Sequence, residues 1–286
     1  MTTTENVRQL GIDGLAFSGE SDHGPVVIYG KNTDLTITLD IVNNIFSADA
    51  TNTGNGSQLY LNSAIKKTGE IKDNYFGGST CGDGNSYRML TLRNPRGLAF
   101  THNYIRDFQS TCFISGEVAD GDKRAGNIDF IFRSNRLENC GSISTVIRSV
   151  FDGGVGNAQF YYNDFIRCGY PNASSAIYLS FEEFNGRATE YEKCAVTVMG
   201  NRFINCYRSL AFIRNNNLQG DASALSLTVT QNRFIEPNQY QRAATININA
   251  WLTPEKTVQP ADWQIGYNYF YSSVNNSCAP QDFFTN

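Results

Sequence analysis

The chain has 286 residues, with 23 basic and 27 acidic side chains interspersed, a net charge of −4 and no basic run. That balance argues against a polyphosphate partner, so nucleic acid is not expected. No 18 apolar residues stand in succession, so no membrane-crossing helix is expected. The two His residues, His23 and His102, are too few and too far apart for a His-based metal site.

The start, Met1-Thr2-Thr3-Thr4-Glu5-Asn6, has neither a basic n-region nor an apolar h-region, so no signal peptide is visible. Leu10-Gly11-Ile12-Asp13-Gly14-Leu15-Ala16-Phe17 then reads as a degenerate first turn, about 30 residues before Asn44. From there one motif recurs: alternating apolar residues, then Asn, any residue, and Phe, Leu or Ile. Its Asn residues are Asn44, Asn74, Asn103, Asn135, Asn163, Asn201, Asn232 and Asn268, separated by 30, 29, 32, 28, 38, 31 and 36 positions. A period of this size marks a repeat architecture in which stacked units share one core.

Each repeat divides into a strand, an Asn corner, a variable loop and a second strand. Leu35–Leu39, Leu98–Thr101, Ile128–Phe132, Val196–Val198 and Leu227–Thr230 run into the corners. Val26–Tyr29, Leu59–Leu61, Met89–Leu92, Cys112–Ile114, Val146–Ile147, Ile177–Leu179, Ala211–Ile213 and Ile246–Ile248 follow the loops. Alternation at period two gives each strand an inner and an outer face. The corner Asn is expected to adopt left-handed backbone and to bond the Asn above and below it as a ladder. Seven Cys residues do not pair evenly, and Cys140, Cys168 and Cys206 each fall five positions after a ladder Asn. They are expected to stack inward as reduced thiols, because side chains stacked in parallel point the same way rather than at each other.

The aromatic or aliphatic strand, the Asn-x-Phe corner, the Gly-rich loop and the second strand together resemble the right-handed parallel β-helix of the pectate-lyase-like superfamily. That superfamily includes pectate lyases, polygalacturonases, other polysaccharide lyases and epimerases, and bacteriophage tailspike depolymerases. The resemblance covers about residues 10–272, and implies an all-β, single-stranded right-handed solenoid of about nine turns forming one domain over residues 1–286. The paired-Asp strand motif of polygalacturonases is absent. So is the Asp-His strand ending of calcium pectate lyases, because Asp22-His23 precedes a strand.

In the resembling families, substrate lies on the outer face of the strand after the long loop. Aligning those strands by their last inward residue gives an outer row of Tyr29, Asn62, Arg93, Ser115, Arg148, Ser180, Arg214 and Asn249. Two positions earlier the row is Val27, Tyr60, Thr91, Phe113, Val146, Tyr178, Phe212 and Asn247. Tyr60, Phe113, Tyr178 and Phe212 are therefore candidate sugar platforms, with Arg93, Arg214 and Glu183 beside them. Plain packing or contact with another chain would place aromatics there equally well.

Glu117 and Glu182, on the turns either side of Arg148, form the candidate catalytic group. Two rungs separate the carboxylates by roughly 9–10 Å, near the upper end for an inverting glycosidase and too long for a retaining one. In an elimination, Arg148 would neutralise a uronate carboxylate while a second group removes the neighbouring proton. A charge ladder that merely relieves like-charge stacking is the plain alternative. Asp152 is a second loop carboxylate and a further candidate acid. Asp120 and Asp122 offer oxygen ligands to calcium, although a solvated turn has the same pattern. The longer intervals, with Phe181–Arg187 in one and Trp251–Glu255 in the other, turn attention to residues 113–221.

A polysaccharide lyase or glycoside hydrolase, of tailspike or secreted type, is the first expectation. A non-catalytic glycan-binding adhesin or structural shaft is the second. Polysaccharide is the expected partner, and the setting is extracellular or virion-associated. Exposed strand edges at both ends invite a homo-oligomer such as a trimer, or a place within a longer chain.

Overall fold

The computed structural model describes residues 8–18, 24–28, 35–47, 56–78, 88–108, 110–115, 128–148, 156–169, 175–182, 194–214, 225–236, 245–249, 262–273 and 284–285. Among these, every regular element is a strand, and the strands build three parallel sheets of nine strands each. The chain visits the sheets in strict rotation, so each strand pairs with its counterpart one coil earlier and one coil later. This is an all-β parallel solenoid. No helix among the described residues is long and apolar enough to cross a membrane.

The first sheet holds the strands that run into the Asn corners, Gln9–Asp13, Thr36–Val42, Lys66–Lys72, Pro95–Thr101, Ile128–Arg133, Gly156–Tyr161, Cys194–Met199, Leu225–Thr230 and Asp262–Gly266. Its alternation is plain in Thr36–Val42, where Ile37, Leu39 and Ile41 are buried and Thr36, Thr38 and Asp40 face solvent. The second sheet, from Ala16–Ser18 to Tyr269–Tyr271, is made of three-residue strands directly after the corners. They occupy the stretch between the Asn corner and the variable loop of each repeat. They are too short for alternation to show, yet they pair in register through all nine rungs.

The middle residue of each short strand points inward. Phe165, Phe203, Phe234 and Phe270 stack with ring centroids 4.8–5.0 Å apart and nearly parallel planes. Phe17, Phe46 and Phe76 do the same at 4.9 and 4.8 Å. Ring spacing this close to the rung spacing of a parallel sheet means that each Phe fills one rung and leaves no void.

The Asn ladder forms as expected. From Asn74 onward each amide oxygen accepts from the backbone N–H and the Nδ2 of the Asn one coil earlier, as where Asn74 serves Asn44 at 2.9 and 3.0 Å, while the Asn44 oxygen accepts the Leu15 backbone N–H at 3.0 Å. Each Nδ2 also donates to a carbonyl of the preceding coil, as in Asn135 to Phe100 at 2.9 Å. The left-handed backbone, however, belongs to the residue before the ladder Asn. Asn43, Asp73, His102, Ser134, Tyr162, Gln231 and Tyr267 all have φ between 55° and 58°, with Gly14 and Gly200 at 68° and 70°. The expectation that the ladder Asn itself turns the corner is thus corrected. One residue bends the chain and the next satisfies the polar groups that the bend exposes.

A second left-handed corner follows the short strands, at Asp107, Asn139, Arg167, Asn205 and Glu236. Cys140, Cys168 and Cys206 come directly after three of these corners and turn inward, each at most 1 % exposed and free, together with buried Cys112. Burial holds the Cys112, Cys140 and Cys168 thiols well above their ordinary pKa.

Candidate functional site

The third sheet consists of Val26–Val27, Ser57–Leu61, Arg88–Arg93, Ser110–Ser115, Ser142–Arg148, Ile177–Glu182, Leu210–Arg214, Ile246–Asn249 and Phe284–Thr285. Its inner columns are apolar and closed. Leu61, Leu92, Ile114, Leu179 and Phe212 share one of them with Thr145, and all are at most 4 % exposed. Thr145 decides the register. A polar residue occupies an inward position of Ser142–Arg148, so alignment on the last apolar residue, Ile147, slips that strand by two.

Two corrections follow. Phe212 pairs with Leu179 and Ile248, lies in the core and offers no surface to a ligand. Val146 pairs with Ser115 and Ser180, so it leaves the aromatic column and takes the place expected of Arg148. The outer column is in fact Val27, Tyr60, Thr91, Phe113, Ser144, Tyr178, Ala211 and Asn247.

Tyr60, Phe113 and Tyr178 remain half-buried on that face, as expected of a platform with one side in solvent. The Asn62 amide donates to the Tyr60 hydroxyl at 2.7 Å, which fixes the ring. Arg88 stands over the Phe113 ring, 5.6 Å from its centroid, in a cation–π contact. Arg88 also donates from Nε to the Ser110 hydroxyl at 3.3 Å, and burial lowers its pKa from the ordinary arginine value.

Arg93 is half-buried in the next outer column, in register with Ser115. Its backbone is anchored by Lys67, a lysine with no exposed surface, whose Nζ donates to the carbonyls of Arg93 (2.6 Å) and Ser63. Burial first, and the Arg93 charge second, hold the Lys67 pKa well below the ordinary lysine value. Asn94 alone separates Arg88–Arg93 from Pro95–Thr101, and it closes that corner with φ 55° and an Nδ2 bond to the Ala64 carbonyl at 2.6 Å. Residue 94 makes this corner without a loop, whereas residues 116–127, 149–155, 183–193 and 215–224 join the same two sheets on later coils.

The register sets Arg148 opposite Glu182 on adjacent rungs, at the ends of their strands. Arg214 pairs with Phe181, one position short of them. Glu117, Asp152 and Glu183, with Asp120 and Asp122 for calcium, lie outside the described residues. Within the described residues no group of three His, Cys, Asp or Glu side chains stands together as a metal site.

On the outer face of the second sheet, charges pair with one another. Arg202 grips Asp164 with two nitrogens, one at 2.6 Å, and Arg136 donates to Glu138 at 2.8 Å. Tyr104 also donates to Glu138, and this bond, then the Arg136 bond, lowers the Glu138 pKa. Rings stand beside charge on that sheet too, since Arg136 lies over the Tyr104 ring, 5.7 Å from its centroid, whereas along the third sheet the rings Tyr60, Phe113 and Tyr178 fall on alternate rungs. Compared with known proteins, the chain matches no protein-family model, no curated protein and no solved structure.

Proposed function

We propose that the protein acts on a polysaccharide laid along the outer face of the third sheet. The observation that supports this reading is the column of half-buried Tyr60, Phe113 and Tyr178 on a rigid sheet, with Arg148 opposite Glu182 at the strand ends beside it. Rings stack on the apolar faces of sugars, and a guanidinium recognises a uronate carboxylate. In an elimination, Arg148 neutralises that carboxylate and a neighbouring Glu, Glu182 or Glu117, takes the proton from the adjacent carbon; the C=C bond forms as the glycosidic C–O bond one carbon further breaks, and the leaving oxygen takes a proton from water. In a hydrolysis, Glu117 and Glu182 act as acid and base, with Asp152 as a further acid. A right-handed helix of about nine turns and pectate-lyase-like kind belongs to the same proposal. It is supported by the near-universal right hand of parallel crossovers and by the Asn ladder. Calcium at Asp120 and Asp122, a trimer and an extracellular or virion setting are further parts of it.

One observation favours the second reading, a non-catalytic glycan-binding adhesin or shaft. Arg148 and Glu182 are direct register neighbours, and opposite charges so placed stabilise a sheet without any substrate. A depolymerisation screen against acidic and neutral polysaccharides separates the two, with Arg148→Ala beside the wild type. Unsaturated, ultraviolet-absorbing product that vanishes in the variant establishes a lyase, and reducing ends without that absorbance establish a hydrolase. A folded sample that binds polysaccharide but leaves it intact establishes the second reading.

A further inference from the structure

We infer that the polymer taken by the third sheet is an extended chain with a two-ring repeat, such as β-(1→4)-linked equatorial pyranoses form, running parallel to the solenoid axis. This rests on the polysaccharide reading above and narrows it. Over six successive rungs the outer column reads Tyr60, Thr91, Phe113, Ser144, Tyr178, Ala211, strictly alternating aromatic and small. Rungs of a parallel sheet are about 4.8 Å apart, so the rings recur about every 9.6 Å. Thr91 and Ala211 are 7 % and 1 % exposed, so it is the three rings that stand out from this face.

Ring-on-ring packing does not explain the alternation. Where this fold packs rings on rings it uses consecutive rungs, as the inner Phe column does at 4.8–5.0 Å. A skipped rung matches something whose own repeat is two rungs long. In an extended equatorially linked chain, successive rings are turned over, so every second ring shows the same face to the surface. Two ring lengths are close to two rung spacings. A coiling chain, as α-(1→4)-linked glucose gives, leaves a straight column after one contact. Tyr60 and Tyr178 are four rungs apart, about 19 Å, so about five rings in a row engage all three aromatics.

The test is calorimetric titration with β-(1→4)-linked oligosaccharides of two, four and six rings, and with an α-(1→4)-linked glucose hexamer. Tyr60→Ala, Phe113→Ala and Tyr178→Ala are measured beside the wild type, with Tyr178→Trp as the conservative variant. Affinity is expected to climb in steps with chain length. Each Ala variant is expected to lower six-ring affinity by about tenfold, and Tyr178→Trp to retain it. Polysaccharide binding with no length step, equal binding of the α-linked hexamer, or indifference to all three Ala variants overturns this inference and leaves the polysaccharide reading standing. Silence toward every saccharide, here and in the wider screen, overturns both.

Discussion

Replacing Asn135 by Ala tests whether the ladder holds the solenoid together or merely decorates it. The Asn135 amide oxygen accepts the Asn103 backbone N–H and the Asn103 Nδ2, both at 2.9 Å. Its Nδ2 donates to the Phe100 carbonyl at 2.9 Å and to the Asn163 amide oxygen at 3.1 Å. The variant loses all four bonds, while the backbone N–H of residue 135 keeps its bond to Asn163 at 2.9 Å. Asn103 and Asn135 are each 2 % exposed, so water cannot replace what is lost. An orphaned buried N–H costs about 1–3 kcal/mol and each of the three other lost bonds about 0.5–1.5 kcal/mol, giving about 2.5–7.5 kcal/mol together. Urea unfolding followed by circular dichroism reads the total, and hydrogen exchange at the Asn103 amide reads it locally. Asn157→Ala is the control. It removes one bond, to Asp129 at 3.0 Å, at a half-buried strand position, and is expected to cost about 1 kcal/mol. An Asn135→Ala protein within about 1 kcal/mol of wild type, with the Asn103 amide still protected, refutes the reasoning.

Lys67→Met is expected to flatten the alkaline pH dependence of stability. The folded state holds the Lys67 pKa down, chiefly by burial, so in the window between that lowered value and the ordinary value of about 10.4 the unfolded chain binds more protons. Wild-type stability therefore rises with pH through that window, and urea midpoints across it should show a shallower rise in the variant. Phe203→Ala breaks a stack between Phe165 and Phe234 and is expected to cost about 3–5 kcal/mol by the same unfolding assay. Alkylation of the native protein, read by mass spectrometry, should spare Cys112, Cys140, Cys168 and Cys206, and modify them once urea unfolds the chain. Labelling of Cys168 before unfolding would contradict a closed thiol stack.

The coils were legible because their signal is repeated. Asn44 through Asn268 mark one corner per coil, and the Phe two positions later marks the inward turn. The second corner was not legible, because Asp107, Asn139, Arg167, Asn205 and Glu236 share a backbone angle but no side-chain type. The three-residue strands were missed for a related reason, since alternation needs more residues than they have. In the candidate site, Tyr60, Phe113 and Tyr178 were placed correctly on the outer face. Phe212 was not, because Ile213 follows it and either residue satisfies an apolar rule. Only the pairing of Phe212 with Leu179 decides which one faces the core. Arg148 was displaced by the same ambiguity, through inward Thr145, a polar residue where an apolar one was assumed.

From Asn135 to Asn163 the chain spends 28 residues, and from Asn163 to Asn201 it spends 38, yet the ladder bonds at both steps are 2.9 Å. Contour length and axial advance are therefore decoupled. The solenoid works as a ruler whose graduations are set by backbone hydrogen bonds, and extra sequence between two of them does not move a mark. Evolution can lengthen a loop beside one graduation, or add a whole coil at an end, while the spacing between side chains already on the scale stays unchanged.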